Sequence, residues 1–282
     1  MHRLIPFLLM GVGCATSMTH MTTPQALEPG EWEVSGAWTG HLNSVAFMKS
    51  LESGVDLWAS VNTGAAPELS EQELRRLLDT GLAWAFFRPG TGFELAGRVG
   101  LTDKLLEGLD LGLRTDFSTF KSDLKLQAWE RADGHFAGAV HLAYGYQPGL
   151  MSSWVEWLSL TNFSRHDLDL ASTWGWTPND SFSLWLGPRV MRSWISADPK
   201  LHGTIEDNLP AALDDYNPSE VLGDEAITYV GTTNGLRLGR GHVYLLAELN
   251  MFWMSFHPTV LDRTRNLSGL VLAPDVALSL TW

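Results

Sequence analysis

The residue types best suited to nucleophilic chemistry stand together once in this chain, at Ser164-Arg165-His166-Asp167. Neighbouring positions on an extended segment point to opposite faces, so they cannot converge as a nucleophile, base and orienting acid must. The spacing predicts the start of a strand, not a triad. His141, with Ser164 or His166, supplies the single enzyme alternative, a membrane-embedded lipid hydrolase or acyltransferase. No pair of histidines four apart encloses a glutamate, no Gly-rich loop opens a helix, and no Gly-x-Ser-x-Gly elbow occurs. Cys14 is the only cysteine, which excludes an internal disulfide and a thiolate-rich metal site. The expectation is a protein that is not an enzyme and carries no metal or cofactor. With 19 basic against 32 acidic residues in a chain of 282, the net charge of −13 argues against nucleic acid as a partner.

The elements that carry these residues have a period of two. Leu109, Leu111, Leu113, Thr115 and Phe117 fall on one face of a segment whose other face holds Asp110, Gly112, Arg114 and Asp116. The same split recurs from Phe120 to Ala128 and from Asp167 to Trp176. Further candidate strands are Glu31 to Gly40, Val55 to Asn62, Leu82 to Arg88, Phe93 to Leu101, Phe136 to Tyr146, Phe182 to Ile195, Ala226 to Leu238, His242 to Trp253 and Leu270 to Trp282. This gives twelve strands, with ten as the next choice. One short connector helix is predicted from the capping box Ser70-Glu71-Gln72-Glu73 to Gly81.

Strands with one oily face fit a soluble sandwich or barrel, or a membrane barrel turned oily side out. The polar faces carry Glu94, Arg98, Asp110, Arg114, Asp116, Lys121, Asp123, Lys125, Asp167, Asp169, Arg189, Arg237 and Glu248, seven acids and six bases, as a salt-bridged lumen would. Connections in the C-terminal two-thirds alternate short and long, the pattern of outer-membrane barrels. Parity breaks on the N-terminal side, where the link after Asn62 is long and Phe117 to Phe120 is short. Of 13 tryptophans, Trp32, Trp38, Trp174, Trp176, Trp253 and Trp282 lie on the expected outward face near strand ends, where an indole suits the headgroup level. Trp129 and Trp185 fall on the inward face. The segment Ser196 to Glu225 is strongly acidic and reads as a solvated external loop.

Two sequence ends carry resemblances. Met1 to Gly13 has a basic start and an uncharged stretch of signal-peptide length, and Gly11-Val12-Gly13-Cys14 resembles a bacterial lipobox, which implies acylation at Cys14. Residues 14–30 then read as a lipid-anchored tether and 31–282 as the barrel. Asp275-Val276-Ala277-Leu278-Ser279-Leu280-Thr281-Trp282 resembles the C-terminal signal by which outer-membrane barrels are recognised for assembly, although Phe is commoner than Trp at the end. Together these features resemble an uncharacterised class of bacterial outer-membrane barrel lipoproteins. The resemblance implies a closed antiparallel transmembrane β-barrel in the bacterial outer membrane, with both termini in the periplasm and two partners, membrane lipid and the barrel-assembly machinery. The function expected is a small or partly plugged passive pore or a structural envelope protein, the alternatives being the lipid enzyme and a soluble periplasmic β-rich lipoprotein.

Overall fold

The computed structural model describes residues 18–62, 76, 79–80, 83, 87, 89–101, 108–148, 158–201, 225–260 and 263–282. The strands are β1 (Trp32–Asn43), β2 (Gly90–Gly100), β3 (Leu109–Thr115), β4 (Phe120–Glu130), β5 (Phe136–Gln147), β6 (Leu158–Asn179), β7 (Phe182–Leu201), β8 (Glu225–Arg240), β9 (Val243–Ser255) and β12 (Gly269–Thr281). They close into one antiparallel barrel of ten strands, and β10 (Thr259–Val260) with β11 (Arg263–Thr264) forms a small hairpin between β9 and β12. Closure is made by β1, which pairs with β2 on one side and β12 on the other.

Ten strands replace the first-choice twelve because two alternating segments are not strands. Val55 to Asn62 belongs to a helix, α1 (Ser44–Asn62), and Ala83 and Phe87, within the expected strand Leu82 to Arg88, are helical. Val55, Trp58 and Ala59 also satisfy the i, i+3, i+4 spacing of a helix face, so eight residues of alternation do not decide between the two periods. Asn43 starts α1, its side-chain oxygen accepting the Val45 amide at 2.8 Å. Removing the two segments resolves the first break in parity, the long link, and leaves the second, because the β3–β4 connection at the loop end is still short. The long link from β1 to β2 now lies at the same end as the links after β3, β5, β7 and β9. The termini and the turns at Arg131–His135, Asp180–Ser181 and Gly241–His242 lie at the other. Gly241, at φ 66°, provides the left-handed residue that a two-residue hairpin turn requires.

Strand pairing shows how the sheet closes. Directly opposed residues run Trp32, Val99, Leu111, Leu124, Leu142, Leu170, Val190, Val230, Trp253, Leu270 around the wall. The row starts at the turn end and arrives at the loop end, beside Asn43 and Ser44. That stagger is what tilted strands need to close. Every member of the row faces outward, and most are exposed leucine, valine or tryptophan. Aromatic side chains bound this apolar belt. Trp32, Trp129, Phe136, Trp174, Trp176, Phe182 and Trp282 ring the turn end, while Trp38, Phe93, Phe120, Tyr144, Tyr146, Trp194 and Trp253 ring the loop end.

Trp129 is a correction. A register shift between Gln127 and Trp129 leaves one residue unpaired and reverses the alternation, turning this indole outward instead of into the lumen. Trp185 has a regular strand on both sides and is buried inside. Leu142 occupies the middle of the Trp32-to-Trp253 row. Leu142→Arg is expected to destabilise the barrel by about 2–4 kcal/mol and Val243→Arg, beside a turn, by under about 1 kcal/mol. Reversible urea unfolding in lipid vesicles measures both, and equal costs would show that the outer wall does not face hydrocarbon.

A lumen filled by ion pairs and an N-terminal plug

Inward positions alternate with the outer belt, and their ionised groups bond across strands. Asp123 on β4 takes Arg98 from β2 at 2.8 Å and Arg114 from β3 at 2.7 Å. Gly112 lies opposite Asp123 in the register, and a Cβ there would collide with the carboxylate, so glycine makes the space for this triad. One level away, Asp169 takes Lys121 at 2.7 Å and Arg189 at 2.6 Å. Asp110 pairs with Lys125 at 2.5 Å. Each pair is desolvated, and a carboxylate shared by two cations offsets that cost better than a single contact would. Glu94 and Glu248 are buried in the same interior, and Arg237 lies half-buried near the turn end with its guanidinium over Tyr244.

Asp116 does not join them. Strand β3 ends at Thr115, and Asp116 instead accepts the amides of Ser118 and Thr119 at 3.0 and 2.6 Å, holding the tight β3–β4 turn in which Phe117 has φ 69°. Sequence reading missed interior groups, among them Arg165, Asn250 and Asp275. Arg165 bonds Asp167 at 2.9 Å and Ser193 at 2.8 Å, because β6 begins well before Asp167. Asp275 and Asn250 are also buried, Asn250 accepting from Arg189 at 2.9 Å. All three lie at i±2 from inward residues, and that alternation was the available signal.

The largest departure concerns residues expected to be a tether. Met18 to Thr23 are buried, and the segment runs inside the barrel as far as Leu27, with Glu28 exposed at the turn end. Its backbone makes the contacts. The Glu248 carboxylate accepts the amides of His20 at 2.8 Å and Met21 at 2.7 Å. Arg114 and Arg189 donate to the carbonyls of Thr19 and Met18. Lys125 donates to the Gln25 carbonyl at 2.6 Å, and Gln127 and Asp110 accept the amides of Ala26 and Leu27 at 2.6 and 3.1 Å. Gly30 and Gly100 close the entry at the turn end. The His20 ring packs edge-on against His141 at 4.1 Å, and His141 bonds Thr173 at 2.8 Å. An eight-strand barrel is just filled by side chains. Two more strands leave width for one extended chain, whose backbone the ionised wall groups then satisfy. The free space near Thr19, Glu94 and Arg98 is only about 20 Å³.

The loop end is covered as well. Ala83 and Phe87 are buried with Val45, Ala46, Phe256 and Leu267, and Phe87 meets Phe256 edge-on at 5.5 Å. Asp79 faces Arg265 at 3.4 Å, and burial holds its carboxyl above the usual carboxylate range despite that cation.

The enzyme candidates are not brought together. His141 lies inside and bonds Thr173, whereas His166 lies on the outer wall, its Nδ1 hydrogen-bonded to the Tyr144 hydroxyl at 2.6 Å. The six tryptophans expected at the membrane surface are all exposed on the outer wall, Trp32, Trp174, Trp176 and Trp282 at the turn end and Trp38 and Trp253 at the loop end. Cys14, the lipobox-like run and the greater part of the acidic segment, residues 202–224, lie outside the described residues.

An apolar belt between two aromatic rings, wrapped around a charged interior, defines a transmembrane β-barrel of the outer-membrane type. Among solved structures, the chain is similar to Ail, the attachment invasion locus protein of Yersinia pestis, at 8% identity and a TM-score of 0.31, covering 90% of this chain and 99% of that one. It is also similar to neisserial surface protein A, at 9% identity and a TM-score of 0.34, covering 89% and 94%. No protein-family model and no curated protein matches it.

Asp123→Ala would strand Arg98 and Arg114 in the interior and is expected to cost about 3–5 kcal/mol in urea unfolding. Glu248→Ala removes the acceptor of two plug amides, a loss of about 1.5–3 kcal/mol. It should speed amide exchange across residues 18–28 while leaving the strands protected.

Proposed function

We propose that this protein is a bacterial outer-membrane pore held closed by its own N-terminal segment. The observation that carries the reading is the bonding of residues 18–28 to wall side chains on four strands, Asp110 and Arg114 on β3, Lys125 and Gln127 on β4, Arg189 on β7 and Glu248 on β9. A permanently structural barrel of ten strands could take up the extra width with larger inward side chains. Here the filling is a strip of chain that belongs to no strand, so it can leave without opening the sheet. With the segment gone, the ionised wall groups would line a water-filled path carrying both signs of charge.

The turn end and both termini of the barrel chain face the periplasm in this reading, and the loops with their helical cap face outward. The run Gly11-Val12-Gly13-Cys14 supports export by a lipoprotein-type signal, and the alternating last strand supports delivery by the barrel-assembly machinery. This reading is non-enzymatic, and the placement of His141 and His166 on opposite sides of the wall supports it.

Planar-bilayer recording tests the proposal. The full-length chain is expected to be almost silent and a variant lacking residues 18–28 to conduct, provided it still migrates as a heat-modifiable barrel. Silence of a correctly folded deletion variant would overturn the pore and leave a structural envelope protein.

A further inference from the structure

The outer wall has one exception to its chemistry. Between the two aromatic rings, Arg192 on β7 is the sole arginine, lysine or carboxylate on the outward face among the described residues. An outward arginine costs about 2–4 kcal/mol at the bilayer midplane and about 0–1 kcal/mol near the surface. Arg192 is near the surface. It lies one outward position below Trp194 of the loop-end ring, and its guanidinium carbon is 5.7 Å from the centre of that indole, within cation–π range. That contact uses none of its N–H groups as hydrogen-bond donors, and among the described residues they have no protein acceptor.

Strand pairing brings further polar atoms to the same place. His166 is directly opposite Trp194, and Arg192 is opposite Leu168 on one side and Thr228 on the other. The His166 ring is fixed by the Tyr144 hydroxyl at 2.6 Å and by the Tyr146 ring at 4.9 Å. With Nδ1 engaged, Nε2 points to no partner among the described residues. A forked cation and an imidazole nitrogen at headgroup height suit one ligand class, a phosphate. Beside them, an outward groove of about 550 Å³ is lined by Leu95, Leu113, Phe120, Ser122, Tyr144 and Tyr146. The two tyrosines border both the groove and the polar cluster, so a ligand that joins phosphate to hydrocarbon would meet each part with the matching chemistry.

We propose that Arg192 and His166 bind the phosphate of an anionic lipid in the leaflet on the loop side, with an acyl chain lying in the adjoining groove. The site is on the outer wall and does not depend on whether the N-terminal segment leaves the lumen. Arg192 contacts the phosphate, and Tyr144 positions the imidazole.

Native mass spectrometry of the intact barrel released from detergent provides the test, with phosphatidic acid, diacylglycerol and inorganic phosphate as separate probes. Wild type is expected to retain phosphatidic acid and neither of the others. Arg192→Gln should weaken retention at least about tenfold, as loss of a charge-assisted hydrogen bond implies, and Tyr144→Phe by a smaller factor. Both variants should keep heat-modifiable migration, because neither disturbs the lumen or the strand ladder. Equal retention by Arg192→Gln, or equal binding of diacylglycerol, would overturn the proposal by showing that hydrocarbon contact alone holds the lipid. Binding of inorganic phosphate as strong as that of phosphatidic acid would overturn the lipid as its source.

Discussion

Backbone amides and carbonyls have no water to bond in hydrocarbon, and each one left unpaired there costs several kcal/mol. That constraint governs this molecule. It requires β1 to meet both β2 and β12, it sets the stagger of the ladder, and it makes an even number of antiparallel strands the economical solution. Once the sheet is closed, the pleat sends alternate side chains to two environments. The outer wall must be apolar, and the interior is free to be charged.

The interior then raises a second problem, because ten strands enclose more width than their own side chains fill. The chain resolves it with ionised residues that face one another in clusters and with a segment of its own backbone. Asp123 and Asp169 each hold two cations, and Arg114 and Arg189 use their remaining N–H groups on the plug carbonyls. The plug and the salt-bridge lattice are therefore one network. A change in either is felt by the other, as expected where buried polar groups satisfy each other in chains.

Much of the wall was legible residue by residue. The leucines of β3 and β4 and the inward Arg98, Arg114, Lys121 and Asp123 follow from alternation alone, since a strand offers only two faces. The ring tryptophans follow from the indole's need for a polar contact at one end. Errors arose where a local feature competes with the period. The bulge after Gln127 reversed the face of Trp129, the early end of β3 left Asp116 in a turn, and Val55 to Asn62 satisfied two periods at once. Connection parity already pointed to the false strands, because a closed barrel cannot place a long link on the wrong side.

What the sequence by itself determined was the two-faced wall, because side-chain direction on a strand is a property of adjacent residues. The plug was decided only in three dimensions. Met18 to Leu27 has no periodic pattern to read, and the wall binds it chiefly through main-chain atoms that every residue possesses. The information that specifies its place lies in Glu248, Arg189, Lys125 and Asp110, far away in the chain and assembled into one lumen only when the sheet closes.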